Sequence, residues 1–131
     1  MRYCSLIGIV LLWGVLCKAQ SFDKYPQHDF INPMAGKLEI IGTFCELRPN
    51  HFHAGLDIDG VTGNAIFAAA DGYIESIKVQ ASGYGNVLMV RHPNGYTTLY
   101  AHLDRFSADI QQFVKKQQYE QERFELEIKP P

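Results

Sequence analysis

No apolar run in this 131-residue sequence reaches the roughly 20 residues that a helix needs to cross a bilayer. No stable membrane span is therefore expected once a leader is removed. Nor does one sign of charge dominate: 12 Lys and Arg stand against 14 Asp and Glu, a net charge of -2, and the basic residues are scattered. Such a balance lacks the electrostatic footprint of a nucleic-acid binder and excludes that class. Cysteine is scarce, with three in all, and Cys4 and Cys17 fall in the N-terminal leader described below. Cys45 is then alone, so the mature chain has no intrachain disulfide. Set among Thr43, Phe44 and Leu47, it is expected to be a small buried hydrophobe and not a metal ligand. The length leaves no room for a second domain. With 47% hydrophobic and 20% charged residues, the chain has the apolar content to build one modest core.

A leader is readable at the start. Arg2 precedes the apolar run Leu6 to Leu16, which gives way to Cys17-Lys18-Ala19-Gln20. The run is too short for an anchor, and the small residues Cys17 and Ala19 suit cleavage after Ala19, so residues 1–19 are expected to be a signal peptide. A lipid-modified Cys17 is the lesser alternative, because Leu16 is larger than the residue such processing favours.

Residues 20–36 are polar and broken by Pro26 and Pro33, an extended lead-in along the edge of the domain that follows at 37–131. Between Lys37 and Met89, β-forming residues and the turn pairs Asp59-Gly60 and Asp71-Gly72 predict short antiparallel strands. Asn94-Gly95 separates Val87–Arg91 from Tyr96–Tyr100, two β-rich flanks around a turn that accepts positive φ, which predicts a hairpin. Gly83-Tyr84-Gly85 marks a loop where the backbone can approach another segment closely. Ser107 can cap an amphipathic helix running through Ile110, Phe113, Val114 and Gln117, with apolar positions at helical spacing. Phe124, Leu126 and Ile128 then alternate with acids as a half-buried strand, just before Pro130-Pro131. With nothing after it to pair with, that strand predicts a mainly β, antiparallel fold that is incomplete at its C-terminal end.

The chemistry centres on His53-Ala54-Gly55-Leu56-Asp57. An imidazole and a carboxylate both suit zinc. On a flat strand their Cα atoms would lie roughly 13 Å apart, too far for one ion, so a bend at Gly55 is needed to make the side chains converge. His28 and His92 are expected to be solvated, and His51 to be exposed or structural, with a supporting hydrogen bond to a ligand as the alternative.

Four blocks in order, Phe44 to Asp57, Ala68-Ala69-Ala70-Asp71-Gly72, Gly83-Tyr84-Gly85-Asn86 and Tyr100-Ala101-His102-Leu103, resemble the M23 (lysostaphin/LytM-type) peptidase family. The resemblance covers roughly residues 30 to 131 and extends to exported members from Gram-negative bacteria. It implies a β-rich module with a groove over an antiparallel sheet, a Zn2+ cofactor, His53 and Asp57 as the first two metal ligands, and His102 as a catalytic histidine. The implied reaction is hydrolysis of peptide bonds in peptidoglycan stem peptides or cross-bridges, and the implied location is the periplasm or cell envelope. The family's third ligand and second catalytic histidine belong to a later His-x-His motif, and no histidine follows His102 here. His51-Phe52-His53 has that form but lies upstream.

Two other readings compete. One is a non-catalytic module of the same fold that binds cell wall or activates a separate wall hydrolase. The other is a metal-free carbohydrate- or peptide-binding β domain that uses Tyr84, Tyr96 and Tyr100 as stacking platforms.

Overall fold

The computed structural model describes Pro26 and residues 28–130; the expected signal peptide lies outside the described residues. Seven elements follow in order: β1 (Ile40–Gly42), β2 (Asp57–Ile58), β3 (Tyr73–Val79), β4 (Asn86–Arg91), β5 (Thr97–Tyr100), α1 (Ala108–Gln121) and β6 (Leu126–Ile128). The fold is mainly β and antiparallel, with one helix near the C-terminus, as the alternation of β-formers and the single 3.6-residue period require. β1 and β2 pair with each other, and the remaining strands form a sheet in the order β5-β4-β3-β6.

Residues directly opposite in an antiparallel pair share a face. Ile77 lies opposite Leu88 on one side and Ile128 on the other, and Val79 lies opposite Leu126. These side chains form the core with Phe106 and Val114, and Leu103, Ile110 and Phe113 pack against it. The helix therefore covers the β3–β6 half of the sheet through the predicted face. Ile77, Val87 and Val114 are the most completely buried side chains, each stabilising the fold by about 1.5–3 kcal/mol. Ser107 stands at the N-cap, but its side chain makes no capping bond. At the other end Glu122 takes a left-handed conformation, its N–H donating to Tyr119 O while Arg123 N–H donates to Gln118 O, which stops the helix.

Two expectations are corrected and one is made specific. The last strand does have a partner: Leu126–Ile128 pairs with β3, upstream in the chain, and Lys78 Nζ meets Glu127 at 2.9 Å across that pair. The hairpin forms where expected, around a three-residue loop. His92 O accepts the Gly95 N–H at 3.0 Å and His92 N–H donates to Tyr96 O at 2.9 Å, with Gly95 alone at positive φ and Pro93 in the position that its fixed φ favours. His92 itself is not solvated. It is 3% exposed, with Nδ1 2.9 Å from Asp71 O and Nε2 2.9 Å from the Thr98 hydroxyl.

The lead-in is what closes over His92. Ile31 N–H donates to Ala69 O and Phe67 N–H to Pro33 O, so the lead-in runs antiparallel to the segment before β3. Phe30 then sets its ring edge-on to His92 and to Tyr96, with centroids at 5.3 and 6.3 Å.

Candidate metal and catalytic site

The site begins with a small hairpin. Arg48-Pro49-Asn50-His51 turns back on itself, with Arg48 N–H donating to His51 O at 2.9 Å, and Leu47 bridges Phe52. The pairing continues through His53 N–H to Glu46 O and Cys45 N–H to His53 O, both at 2.8 Å. Fitting two residues against one forces Cys45 to a φ of 63°, and it is exposed, which corrects the expectation of a buried hydrophobe. His51 is exposed, and its Nδ1 lies 2.7 Å from Asn50 Oδ1.

This hairpin aims the His53 ring at the start of β2. The chain bends at Gly55, and Asp57 then pairs opposite Gly42 of β1. The result is that His53 Nε2 and Asp57 Oδ1 lie 3.3 Å apart. Gly55 itself has an ordinary φ, and a Cβ there would only touch His53 Nε2 at 3.9 Å, so the bend does not depend on glycine. The glycine that the site does require is Gly42: a Cβ there would collide with the Asp57 carboxylate and come within 2.9 Å of the Arg48 guanidinium.

The protonation of His53 follows from its partners. Nδ1 lies 3.0 Å from Thr43 O, a carbonyl that can only accept, and 3.4 Å from Arg48 Nη2, which can only donate; the shorter contact favours a proton on Nδ1, which leaves Nε2 with a lone pair. That lone pair faces a carboxylate oxygen. The arrangement is satisfied by a second proton on His53 or by a cation between the two atoms. Two ligand atoms at zinc bond lengths of about 2.0–2.2 Å and a tetrahedral angle would be about 3.4 Å apart, so the observed spacing fits a shared ion. A histidine whose other nitrogen is held by a backbone carbonyl is also the usual supported form of a metal ligand.

Sequence reasoning assigned no role to Arg48. Its Nη2 donates to Asp57 Oδ2 at 2.6 Å and approaches Glu46 Oε2 at 3.4 Å, while Glu46 Oε2 accepts the Thr43 N–H at 3.1 Å. The turn pair Pro49-Asn50 was the available signal, since it folds Arg48 back alongside the segment carrying His53.

His102 follows β5 with a φ of 56°, a conformation that few non-glycine residues adopt. Its N–H donates to Tyr84 O at 2.9 Å, and its ring lies 6.4 Å from the Tyr84 ring. The Gly83-Tyr84-Gly85 loop, with both glycines at positive φ, thus approaches the segment after β5 as its composition allows. Asn86 completes the tie, its amide donating to Leu103 O at 2.9 Å. The structure brings His53 and Asp57 together, whereas the ring neighbour of His102 is Tyr84. Among the described residues, no three His, Cys, Asp or Glu side chains converge as a metal-binding group. A surface depression of about 510 Å³ at the end of α1, lined by Lys115, Gln118, Tyr119, Glu122, Arg123 and Phe124, includes none of these site residues.

Comparison with known proteins places the chain in a family. The profile of peptidase family M23 matches residues 51–119, just over half of the chain, and includes His53, Asp57 and His102. The DD-carboxypeptidase/endopeptidase Mpg of Neisseria meningitidis serogroup B is 49% identical over 55 residues, 42% of this chain and 13% of that protein. The murein hydrolase activator NlpD of Escherichia coli is 41% identical over 61 residues, 47% of this chain and 16% of the relative. The cell division protein DipM of Caulobacter vibrioides is 32% identical over 87 residues, 66% of this chain and 14% of the relative. The matched region is thus a small part of each of these relatives. No solved structure matches. The chain belongs to peptidase family M23.

Proposed function

We propose that this chain serves a zinc-dependent endopeptidase that hydrolyses peptide bonds of peptidoglycan, in stem peptides or cross-bridges, in the periplasm or cell envelope. The observation that carries this reading is the 3.3 Å approach of His53 Nε2 to Asp57 Oδ1, with Nδ1 held by Thr43 O. Family membership and the names of the relatives, a DD-carboxypeptidase/endopeptidase and a murein hydrolase activator, support the substrate class. Zinc held by His53 and Asp57 would supply Lewis-acid polarisation of the scissile carbonyl and a more acidic water. His53 contributes Nε2, and the Thr43 carbonyl, 3.0 Å from Nδ1, holds the ring in place. Asp57 contributes Oδ1. His102, exposed beside Tyr84, serves as the proton carrier and hydrogen-bond donor to the carbonyl oxygen or the attacking water. The export expected from the leader is consistent with described residues in which no helix is long and apolar enough to cross a membrane.

A second reading is an activator that binds cell wall and stimulates another hydrolase. What favours it is that only two candidate ligands converge among the described residues, together with the likeness to NlpD. One experiment separates the two. Purified peptidoglycan is incubated with the zinc-loaded chain, with and without a separate murein hydrolase, and the released fragments are read by mass spectrometry. New peptide termini produced by the chain alone, and lost in Asp57→Ala, support the peptidase. Release only in the presence of that hydrolase, and undiminished in Asp57→Ala, overturns it in favour of the activator.

A further inference from the structure

We infer that Arg48 is the positioning residue for Asp57, holding one carboxylate oxygen so that the other is offered to the metal. The inference rests on the zinc reading above and concerns a residue to which that reading gives no role. Three observations carry it. The guanidinium donates to Asp57 Oδ2 at 2.6 Å, within the range of a charge-assisted bond, which leaves Oδ1 as the oxygen facing His53 Nε2 at 3.3 Å. Arg48 is itself anchored, because the same Nη2 lies 3.4 Å from Glu46 Oε2, and that oxygen also accepts the Thr43 N–H at 3.1 Å. The carbonyl of that same Thr43 lies 3.0 Å from His53 Nδ1, which Arg48 Nη2 also approaches at 3.4 Å, so one loop residue links the orientation of both candidate ligands. Finally, Gly42 leaves open the space in which the carboxylate and the guanidinium meet.

Arg48 acts on a cation in two opposed ways. It orients Asp57, which favours binding, and it places a positive charge beside the site, which disfavours it. The two are separable because repulsion at a site about a third exposed is screened by salt, whereas orientation through a short direct bond is much less so. Raising ionic strength from 0.05 M to 0.5 M shortens the screening length from about 14 Å to about 4 Å. A residue that only supported the hairpin would lower affinity and leave the absorption spectrum of the saturated cobalt form as in wild type, whereas a misoriented Asp57 changes it.

The test is titration of the 131-residue chain with zinc, and with cobalt as a coloured probe, at both ionic strengths, for wild type, Arg48→Ala and Arg48→Lys. Arg48→Ala is expected to bind nearly as well as wild type at low salt and about tenfold more weakly at high salt. Arg48→Lys should fall between them at high salt, since a point charge can meet Asp57 without also reaching Glu46 in the same geometry. Should Arg48→Ala fail to fold by circular dichroism, Arg48→Lys decides alone: a high-salt affinity below wild type with an altered cobalt spectrum supports the role, and one equal to wild type overturns it. Equal high-salt affinity of Arg48→Ala and wild type, or a loss with an unchanged cobalt spectrum, also overturns it while leaving the zinc reading standing. If wild type shows no saturable zinc or cobalt binding, the zinc reading fails, and this role for Arg48 fails with it.

Discussion

Asp57 keeps its position only because Gly42 has no side chain: a Cβ on Gly42 would run into the Asp57 carboxylate, and the Arg48 guanidinium would lie 2.9 Å from it. The two residues face each other across the β1–β2 pair, so the strand pairing sets both the height and the direction of the carboxylate. Replacing Gly42 with Ala should push Asp57 and Arg48 apart at a cost of about 1–3 kcal/mol. Zinc affinity should fall with it. Urea unfolding and zinc titration check the two effects. A Gly42→Ala chain that binds zinc as wild type does would show that the carboxylate has another acceptable position.

His53→Ala and Asp57→Ala should each abolish saturable zinc binding, because neither leaves a pair of ligands in place. Wild type itself should bind weakly. A catalytic zinc site normally draws on three protein ligands, and the described residues bring two together. Competition against a chelator of graded affinity measures this directly. A tightly held stoichiometric zinc in the 131-residue chain would require a third ligand within these residues, with the exposed His51 and Cys45 the first to examine.

What could be read from the sequence was what local chemistry dictates. The Asn94-Gly95 pair marks a hairpin whatever surrounds it, and the spacing of Ile110, Phe113 and Val114 marks a helix face, so both elements were legible. The type of turn was not, because Pro93 and the pairing of His92 with Tyr96 decide between two- and three-residue loops. His92 was misread for a different reason: what buries it is Phe30, from a distant lead-in, and nothing near His92 in sequence announces that contact. The partner of β6 was missed because antiparallel pairing with β3 passes over two intervening strands and a helix. In the site, residue types exposed the candidate ligands His53 and Asp57. Arg48 and Gly42 matter only through where their neighbours stand, which no spacing rule encodes.

His102→Ala should separate hydrolysis from metal binding. His102 is placed by its backbone bond to Tyr84 and carries no candidate metal contact among the described residues, so zinc affinity should not change. Peptidoglycan hydrolysis at saturating zinc should fall about a hundredfold, the scale of a lost acid/base group. Unchanged turnover would remove His102 from the mechanism, and lost zinc would reassign it as a ligand.

The last prediction concerns His92, whose contribution is to the fold and not to the chemistry. Its buried ring joins the Asp71 carbonyl to the Thr98 hydroxyl, which lies 2.9 Å from the Tyr100 hydroxyl, and Tyr100 in turn accepts the Ala69 N–H at 2.7 Å. The chain of bonds pins the segment before β3 onto the β4–β5 hairpin, and β5 leads directly into His102. Leucine at position 92 fills much of the same space but leaves the Asp71 carbonyl without this partner, at a cost of about 1–3 kcal/mol. Asparagine is the informative comparison. Its amide nitrogen can stand where Nδ1 does and keep the bond to Asp71, though it cannot reach Thr98, so its stability should lie between wild type and His92→Leu. Urea midpoints for the three chains, at fixed pH and without metal, give the ordering. Zinc affinity should remain that of wild type in both variants, since no hydrogen bond links His92 to the His53–Asp57 pair. If His92→Leu is as stable as wild type, the network is incidental and the hairpin is held by the Phe30 contacts alone; if the two variants are equally destabilised, the bond to Asp71 is not the one that matters.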